Sequence, residues 1–185
     1  HRTGELAWWA QHHSDMWNDD AVYDRILVDT KVDPDPPNAL GINPSIDADK
    51  TRELVIGSFS KDAIFYVYDR SDGTFLYARP TAYQNIIAGY DGTTGAYTTE
   101  PDAIMTADVN HEATICRENR QIPQGAYSPL TNAYYVPAFN GPCSVMKLNS
   151  SEPSIDTGYN TSYIATVPSP AEQLGQPEAI DVTTG

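Results

Sequence analysis

The chain has 185 residues, a hydrophobic fraction of 40%, Tyr 12, Gly 12 and Pro 14, and a net charge of -14. The length suffices for one ordinary domain with a real core, and the composition suits a turn-rich β protein. The charge argues against a nucleic-acid or anionic-membrane surface, because both require basic patches. No apolar run approaches the roughly 18 residues of a membrane span. The residues that follow His1 lack the basic and apolar regions of a signal peptide, so we expect either that a signal was removed or that the chain begins inside a longer protein.

The predicted elements are short strands separated by turns. Residues 5–9 are expected to form the first strand, and residues 53–68 two more around an inner turn that carries Lys61. The other expected strands cover residues 74–78, 133–139 and, with a weaker pattern, 178–182. No amphipathic helical pattern persists for more than about two turns. The fold class is therefore all-β.

Related turn signals recur along the chain and end at Gly4, Gly73, Asn132 and Gly185. Short strands with such turns indicate a sandwich, a barrel or a propeller, and an irregular period of about 60 residues favours propeller blades. The units are then residues 5–73, 74–132 and 133–185. We expect about three blades of a larger propeller and no second domain, because three blades alone leave unpaired flanks.

Cys116 and Cys143 are the only cysteines, so the sequence allows one disulfide or two buried thiols. A bridge would staple the ends of a hairpin-like unit and imply an oxidising compartment. Asn149 and Asn160 begin Asn-x-Ser/Thr triplets, which are glycosylation sites only if the protein is secreted by a eukaryote.

Four stretches in order resemble motifs of the quinoprotein alcohol dehydrogenases. Residues 3–9 (TGELAWW) resemble the family's TGxxxW strand, and residues 14–22 (SDMWNDDAV) resemble HDxWDxDxV, with Ser14 in place of His. Residues 61–70 (KDAIFYVYDR) resemble (R/K)NGxxYxLDR. The fourth stretch, residues 121–138, begins QIPQGAYSP and resembles NWxPxAYSPxTGxxYVPA.

The resemblance implies a middle segment of an eight-bladed propeller that carries pyrroloquinoline quinone with Ca²⁺ or a lanthanide. It implies oxidation of a small alcohol in the periplasm or outside the cell, with a cytochrome-like electron acceptor and the remaining blades as partners. The cysteine pair falls where many members have a disulfide. The family's cofactor-stacking tryptophan and its other metal ligands would lie upstream of His1.

The resemblance also assigns individual residues. Lys61 falls where the family places an Arg or Lys against the quinone oxygens, although a turn lysine paired with Asp62 is the alternative. Gln121 falls where an Asn bonds the cofactor, although an ordinary loop amide fits as well. Asn18 occupies the position of the catalytic carboxylate, and Asp20 that of an additional metal-associated carboxylate.

An amide cannot accept a proton as a base, so Asn18 predicts an impaired enzyme unless Asp19 takes the role. The acidic segment, which contains Asp15, Asn18, Asp19, Asp20 and Asp24, suits a hard cation, and equally a solvated loop. His12 and His13 are expected to have structural or surface roles, because neighbours on a strand point to opposite faces. A non-catalytic propeller scaffold that serves in binding or assembly is the second hypothesis.

Overall fold

The computed structural model describes residues 3–14, 19–106, 108–117, 124–149, 161–172 and 174–185. In that part of the chain, two short 3₁₀ turns (Pro36–Asn38 and Pro101–Ala103) accompany a series of strands. The strands are β1 Ile26–Lys31, β2 Gly41–Ile42, β3 Thr51–Gly57, β4 Ile64–Asp69, β5 Phe75–Pro80, β6 Ile87–Tyr90, β7 Tyr97–Thr99, β8 Ala113–Ile115, β9 Ala126–Ser128, β10 Ala133–Phe139, β11 Cys143–Leu148, β12 Thr161–Val167 and β13 Gly175–Asp181. The prediction of an all-β fold is confirmed. No helix among these residues is long and apolar enough to cross a membrane.

The central element is an antiparallel sheet with the strand order β1-β3-β4-β5-β2. All six residues of β4 are buried, which explains its unbroken apolar run. On one face Ile64, Tyr66 and Tyr68 join a core cluster, and on the other Phe65 and Val67 join a second cluster. The sheet is therefore covered on both sides.

Smaller sheets provide the two covers. The sheet β13-β10-β9 contributes Tyr134, Val136 and Ile180 to the second cluster. The hairpin β6-β7 and the sheet β12-β11-β8 lie on the opposite side, where Ile87 and Met146 join the first cluster. Sheets packed face to face are the arrangement that stacked propeller blades require. The unit boundaries remain a prediction, and the central sheet includes strands on both sides of residue 73.

One turn geometry recurs at Asp69–Gly73, Asp91–Gly95 and Asp181–Gly185. In each, the glycine N–H donates to the aspartate carbonyl, at 2.9, 2.8 and 2.8 Å respectively. The aspartate Oδ1 accepts backbone N–H groups inside the turn, and each glycine has positive φ, which glycine adopts without strain. The predicted turns that end at Gly73 and Gly185 are confirmed. The turn at Asp91–Gly95 closes the β6-β7 hairpin.

The expected strand at residues 5–9 is wrong. In the described residues this segment joins no ladder, and Leu6 and Trp9 are largely exposed. Trp8 instead packs against the central sheet, where its indole N–H donates to the Arg70 carbonyl at 3.0 Å and its ring stacks on Tyr68. Contact with the Gly73 turn therefore fixes this segment in place of strand pairing.

Candidate functional site

The inner turn between β3 and β4 carries Lys61 and Asp62, which are both buried but contact different groups. Asp62 is completely buried, and its Oδ1 accepts the Ile64 N–H at 3.0 Å. Ala63 follows at a φ of 62°, where a non-glycine residue is strained. The carboxylate of Asp62 thus holds the turn in a conformation that is strained at Ala63.

The Asp62 carboxylate is the centre of a buried hydrogen-bond network. The Tyr66 hydroxyl donates to its Oδ2 at 2.5 Å and lies 2.8 Å from the Tyr90 hydroxyl, while His13 Nε2 is 3.4 Å from the same Oδ2. Burial alone would raise the pKa of Asp62, but the hydrogen bonds and charge of His13, with Tyr66, hold it below its usual value. Asp62 is therefore a stable buried anion.

Lys61 projects the other way and meets the acidic segment. Its Nζ lies 2.6 Å from Asp20 Oδ2, and its side chain is only 8% exposed, against 49% for Asp20. The hydrogen bond from Lys61 lowers the pKa of Asp20. The lysine is therefore shielded from bulk water, and its partner is Asp20 rather than its neighbour Asp62.

Asp19 points inward from the same segment and forms an ion pair with Arg117, which also donates to the Tyr163 hydroxyl at 3.1 Å. Burial raises the pKa of Asp19, and the charges of Arg117 and His13 oppose that rise. Arg117 directly follows Cys116, which is disulfide-bonded to Cys143. The predicted disulfide thus lies next to the cation that anchors Asp19.

The two histidines differ in charge. His12 packs against the rings of Phe59 and Tyr66, at centroid distances of 5.0 and 4.6 Å. Burial lowers the pKa of His12 to about 4. Burial would also lower the pKa of His13, but the hydrogen bond and charge of Asp62, assisted by Asp19, raise it to about 9. At neutral pH His12 is neutral and His13 is a cation.

We expect the free energy of unfolding to be largest near pH 6.5 and to fall on both sides. The proton on His13 stabilises the fold fully below the unfolded pKa of 6.5, and that contribution is lost as the pH rises through about 9. Unfolded His12 binds a proton that the folded state disfavours, so stability is also lost as the pH falls from 6.5 to about 4. Urea unfolding across this range measures both limbs. His13→Gln should flatten the alkaline limb, and a wild-type limb already flat between pH 7 and 9 would contradict the assignment.

A cleft of about 480 Å³ opens beside this cluster, and His13, Asp19, Asp20, Arg25 and Ser60 line part of it. Its volume is in the range of small-molecule sites. Buried charges at a cleft are typical of functional sites, because desolvation and charge pairs shift pKa values there.

Other predicted residues lie elsewhere. Asn18, Gln121 and Asn160 fall outside the described residues. Asn149 is exposed and accepts a hydrogen bond from Ser162. Within the ranges that the structure describes, no three His, Cys, Asp or Glu side chains are grouped to hold a metal ion. The metal role of Asp20 remains a prediction.

Three members of the cluster were not predicted as site residues. His13 was given a structural or surface role, Asp62 was considered only as a partner of Lys61, and Arg117 was not considered. Asp62 carried a signal, since it stands where the resembled motif has Asn. Arg117 carried none, because it is 98 residues from Asp19 along the chain.

No family model matches the chain. Among curated proteins, it is 34% identical over 86 residues to the dehydrogenase subunit of a quinone-type alcohol dehydrogenase of Gluconobacter oxydans, covering 45% of this chain and 11% of that protein. It is 24% identical over 180 residues to a 1-butanol dehydrogenase (cytochrome c) of Thauera butanivorans, covering 92% of this chain and 24% of that protein. The chain thus spans a quarter or less of the curated relatives it matches.

Solved structures give the same picture. The quinohemoprotein alcohol dehydrogenase of Comamonas testosteroni superposes with a TM-score of 0.70 at 21% identity, over 94% of this chain and 25% of that one. A second quinohemoprotein alcohol dehydrogenase, from Pseudomonas putida, has a TM-score of 0.67 at 21% identity, over 86% and 22% of the two chains. A europium-containing methanol dehydrogenase has a TM-score of 0.64 at 21% identity, over 91% and 27%. At this identity the likeness establishes the fold, which is that of a segment of these larger proteins.

Proposed function

We propose, from the confirmed resemblance to the quinoprotein alcohol dehydrogenases, that this chain is the part of a quinoprotein oxidoreductase that supplies Lys61 and an acidic segment to the reaction centre. The observation that carries the proposal is the shielded contact between Lys61 and Asp20 beside a cleft. A turn lysine on an ordinary surface would extend into water, whereas this one is held against a carboxylate at a cavity edge.

The side chains present fit an anionic quinone with a metal ion. A quinone offers carbonyl and carboxylate oxygens, which accept hydrogen bonds from an ammonium group, and a hard cation takes carboxylate ligands. Lys61 provides the ammonium, and Asp20 provides a half-exposed carboxylate 2.6 Å away. Gln121 and Asp20 would complete the contacts of this chain with the quinone and with Ca²⁺ or a lanthanide.

Pyrroloquinoline quinone, held in part by Lys61 and Gln121, would supply the hydride acceptor for the oxidation of a small alcohol. The role of Lys61 in this step is to stabilise negative charge on the acceptor oxygens from a fixed, poorly hydrated position. Because Asp20 orients the ammonium group, little reorganisation is needed when that charge develops.

The proton of the alcohol requires a carboxylate. Asn18 cannot accept it, and we assign the role to Asp19, which belongs to the cleft lining although its carboxylate is fully buried. Burial raises the pKa of Asp19, which brings the group closer to the range of an effective base. Its pairing with Arg117 opposes this shift and fixes the carboxylate in place.

The remaining blades, a cytochrome-like acceptor and a periplasmic or extracellular location belong to the same proposal. The disulfide supports an oxidising compartment. The alternative is a scaffold that has kept the propeller and lost the reaction, and Asn18 in place of the family's carboxylate favours it.

We expect mass spectrometry of the protein, isolated with the propeller blades that adjoin this chain, to detect pyrroloquinoline quinone. Loading with the quinone and Ca²⁺ should then give alcohol-dependent reduction of an artificial electron acceptor. Protein that holds no quinone and stays inactive after loading would decide for the scaffold. A matched preparation loaded without metal serves as the control for nonspecific quinone adsorption.

A further inference from the structure

Two segments that lie far apart in the sequence meet at the site, and each contributes two adjacent charged residues. Asp19 and Asp20 are adjacent, as are Lys61 and Asp62, and each pair divides its side chains between two contacts. Asp20 and Lys61 contact each other beside the cleft, while the inward carboxylates, Asp19 and Asp62, are fully buried. His13 lies between the two inward carboxylates.

We infer that His13 is a positioning residue whose imidazolium bridges Asp62 and Asp19. It thereby fixes the position of the Lys61 turn relative to the acidic segment, which we call their register. His13 Nε2 is 3.4 Å from Asp62 Oδ2 and 3.8 Å from Asp19 Oδ2. One ring nitrogen thus faces a carboxylate from each segment. The importance of this register for the reaction rests on the proposed function of Lys61.

The hydrogen bonds identify the charge state. His13 Nδ1 is 2.9 Å from the Ser14 carbonyl, which only accepts, so Nδ1 carries a proton. A neutral ring would then place the lone pair of Nε2 beside two anions, with the Ser60 hydroxyl at a distance of 3.5 Å from Nε2, longer than the 3.4 Å of Asp62. A proton on Nε2 removes this repulsion, and the side chain is a cation.

Loss of this cation would leave two buried carboxylates facing each other. The remaining positive charge, Arg117, contacts Asp19 on its other side, and Tyr66 gives Asp62 a neutral hydrogen bond. Breaking a buried ion pair by removing one partner is strongly destabilising. We expect the two segments to move apart in response, which would loosen Lys61 from Asp20.

The test is the reactivity of the Lys61 amine in protein without added cofactor. With an amine-acylating reagent and peptide mass spectrometry, we expect His13→Gln to raise the labelling rate of Lys61 by about tenfold. Lys31, whose side chain is 53% exposed, is the internal control and should not change. A purely structural role would raise labelling at all buried sites together as global unfolding increases.

A charge-neutral double variant makes the test specific. His13→Gln with Asp62→Asn removes one anion with the cation, and we expect Lys61 labelling to return to within about threefold of the unaltered protein. Unchanged Lys61 labelling in the folded single variant overturns the inference. So does a double variant that is unfolded or labels as fast as the single one. If the single variant fails to fold, a folded double variant with protected Lys61 supports the inference.

Neither measurement requires quinone, alcohol or turnover. A negative labelling result therefore leaves the proposed oxidoreductase function standing. Conversely, failure to find quinone or activity leaves the role of His13 in the register unaffected.

Discussion

Replacing Lys61 with alanine is expected to slow quinone reduction by about 100- to 1000-fold, the loss that follows removal of one pre-positioned donor to a developing anion. The fold should survive, because the partner Asp20 is half-exposed and water can solvate its carboxylate once the ammonium is gone. The measurement is the single-turnover rate of quinone reduction by alcohol in the loaded protein, with circular dichroism to confirm folding.

Two variants sharpen this result. Lys61→Arg should retain most of the rate, since the resembled motif accepts either cation, and Lys31→Ala removes an exposed lysine of the same charge as a matched control. Turnover in Lys61→Ala equal to that of the unaltered protein would remove Lys61 from the mechanism.

Replacing Asp62 with alanine is expected to lower the free energy of unfolding by about 3–5 kcal/mol, the range for breaking a buried ion pair by removing one partner. The His13 cation would lose its nearest carboxylate. The Tyr66 hydroxyl and the Ile64 N–H would lose their acceptor in a fully buried place. The Ala63 backbone would also lose the interaction that maintains its positive φ.

Asp49→Ala is the matched control, because that side chain is fully exposed and its removal should change stability by no more than about 0.5 kcal/mol. Denaturant titration of both variants gives the comparison. Equal, small losses in the two would mean that the buried carboxylate does not hold the inner turn.

Much of the fold was predictable because its signals are local. The continuous apolar run of β4 and the Asp-to-Gly turns have mechanisms that act within a few residues, namely burial on both faces and glycine at positive φ. The strand predicted at residues 5–9 is wrong because a contact that is distant in the sequence decides the path of this segment. Its aromatic content resembles a strand, but contact of Trp8 with a turn 65 positions later decides its path.

The candidate site was predictable only in part. Lys61 and Asp20 were identified through motif positions, and the structure brings them into contact. The contacts among the buried charged residues next to them could not be predicted, because these residues come from separated places in the chain: His13, Asp19, Asp62 and Arg117. His13 was assigned a structural or surface role together with His12, because the sequence does not show that only His13 contacts buried carboxylates.

The Cys116–Cys143 bridge closes a covalent ring of 27 intervals that includes Arg117 at one end. In the chain-entropy treatment, such a ring restricts the denatured ensemble by an amount equivalent to about 3.5 kcal/mol. Strand β8 and strand β11 therefore stay close together even when tertiary contacts are lost. Arg117, the cation that pairs with Asp19, therefore lies in a part of the chain whose conformational entropy in the denatured state is already reduced by the disulfide.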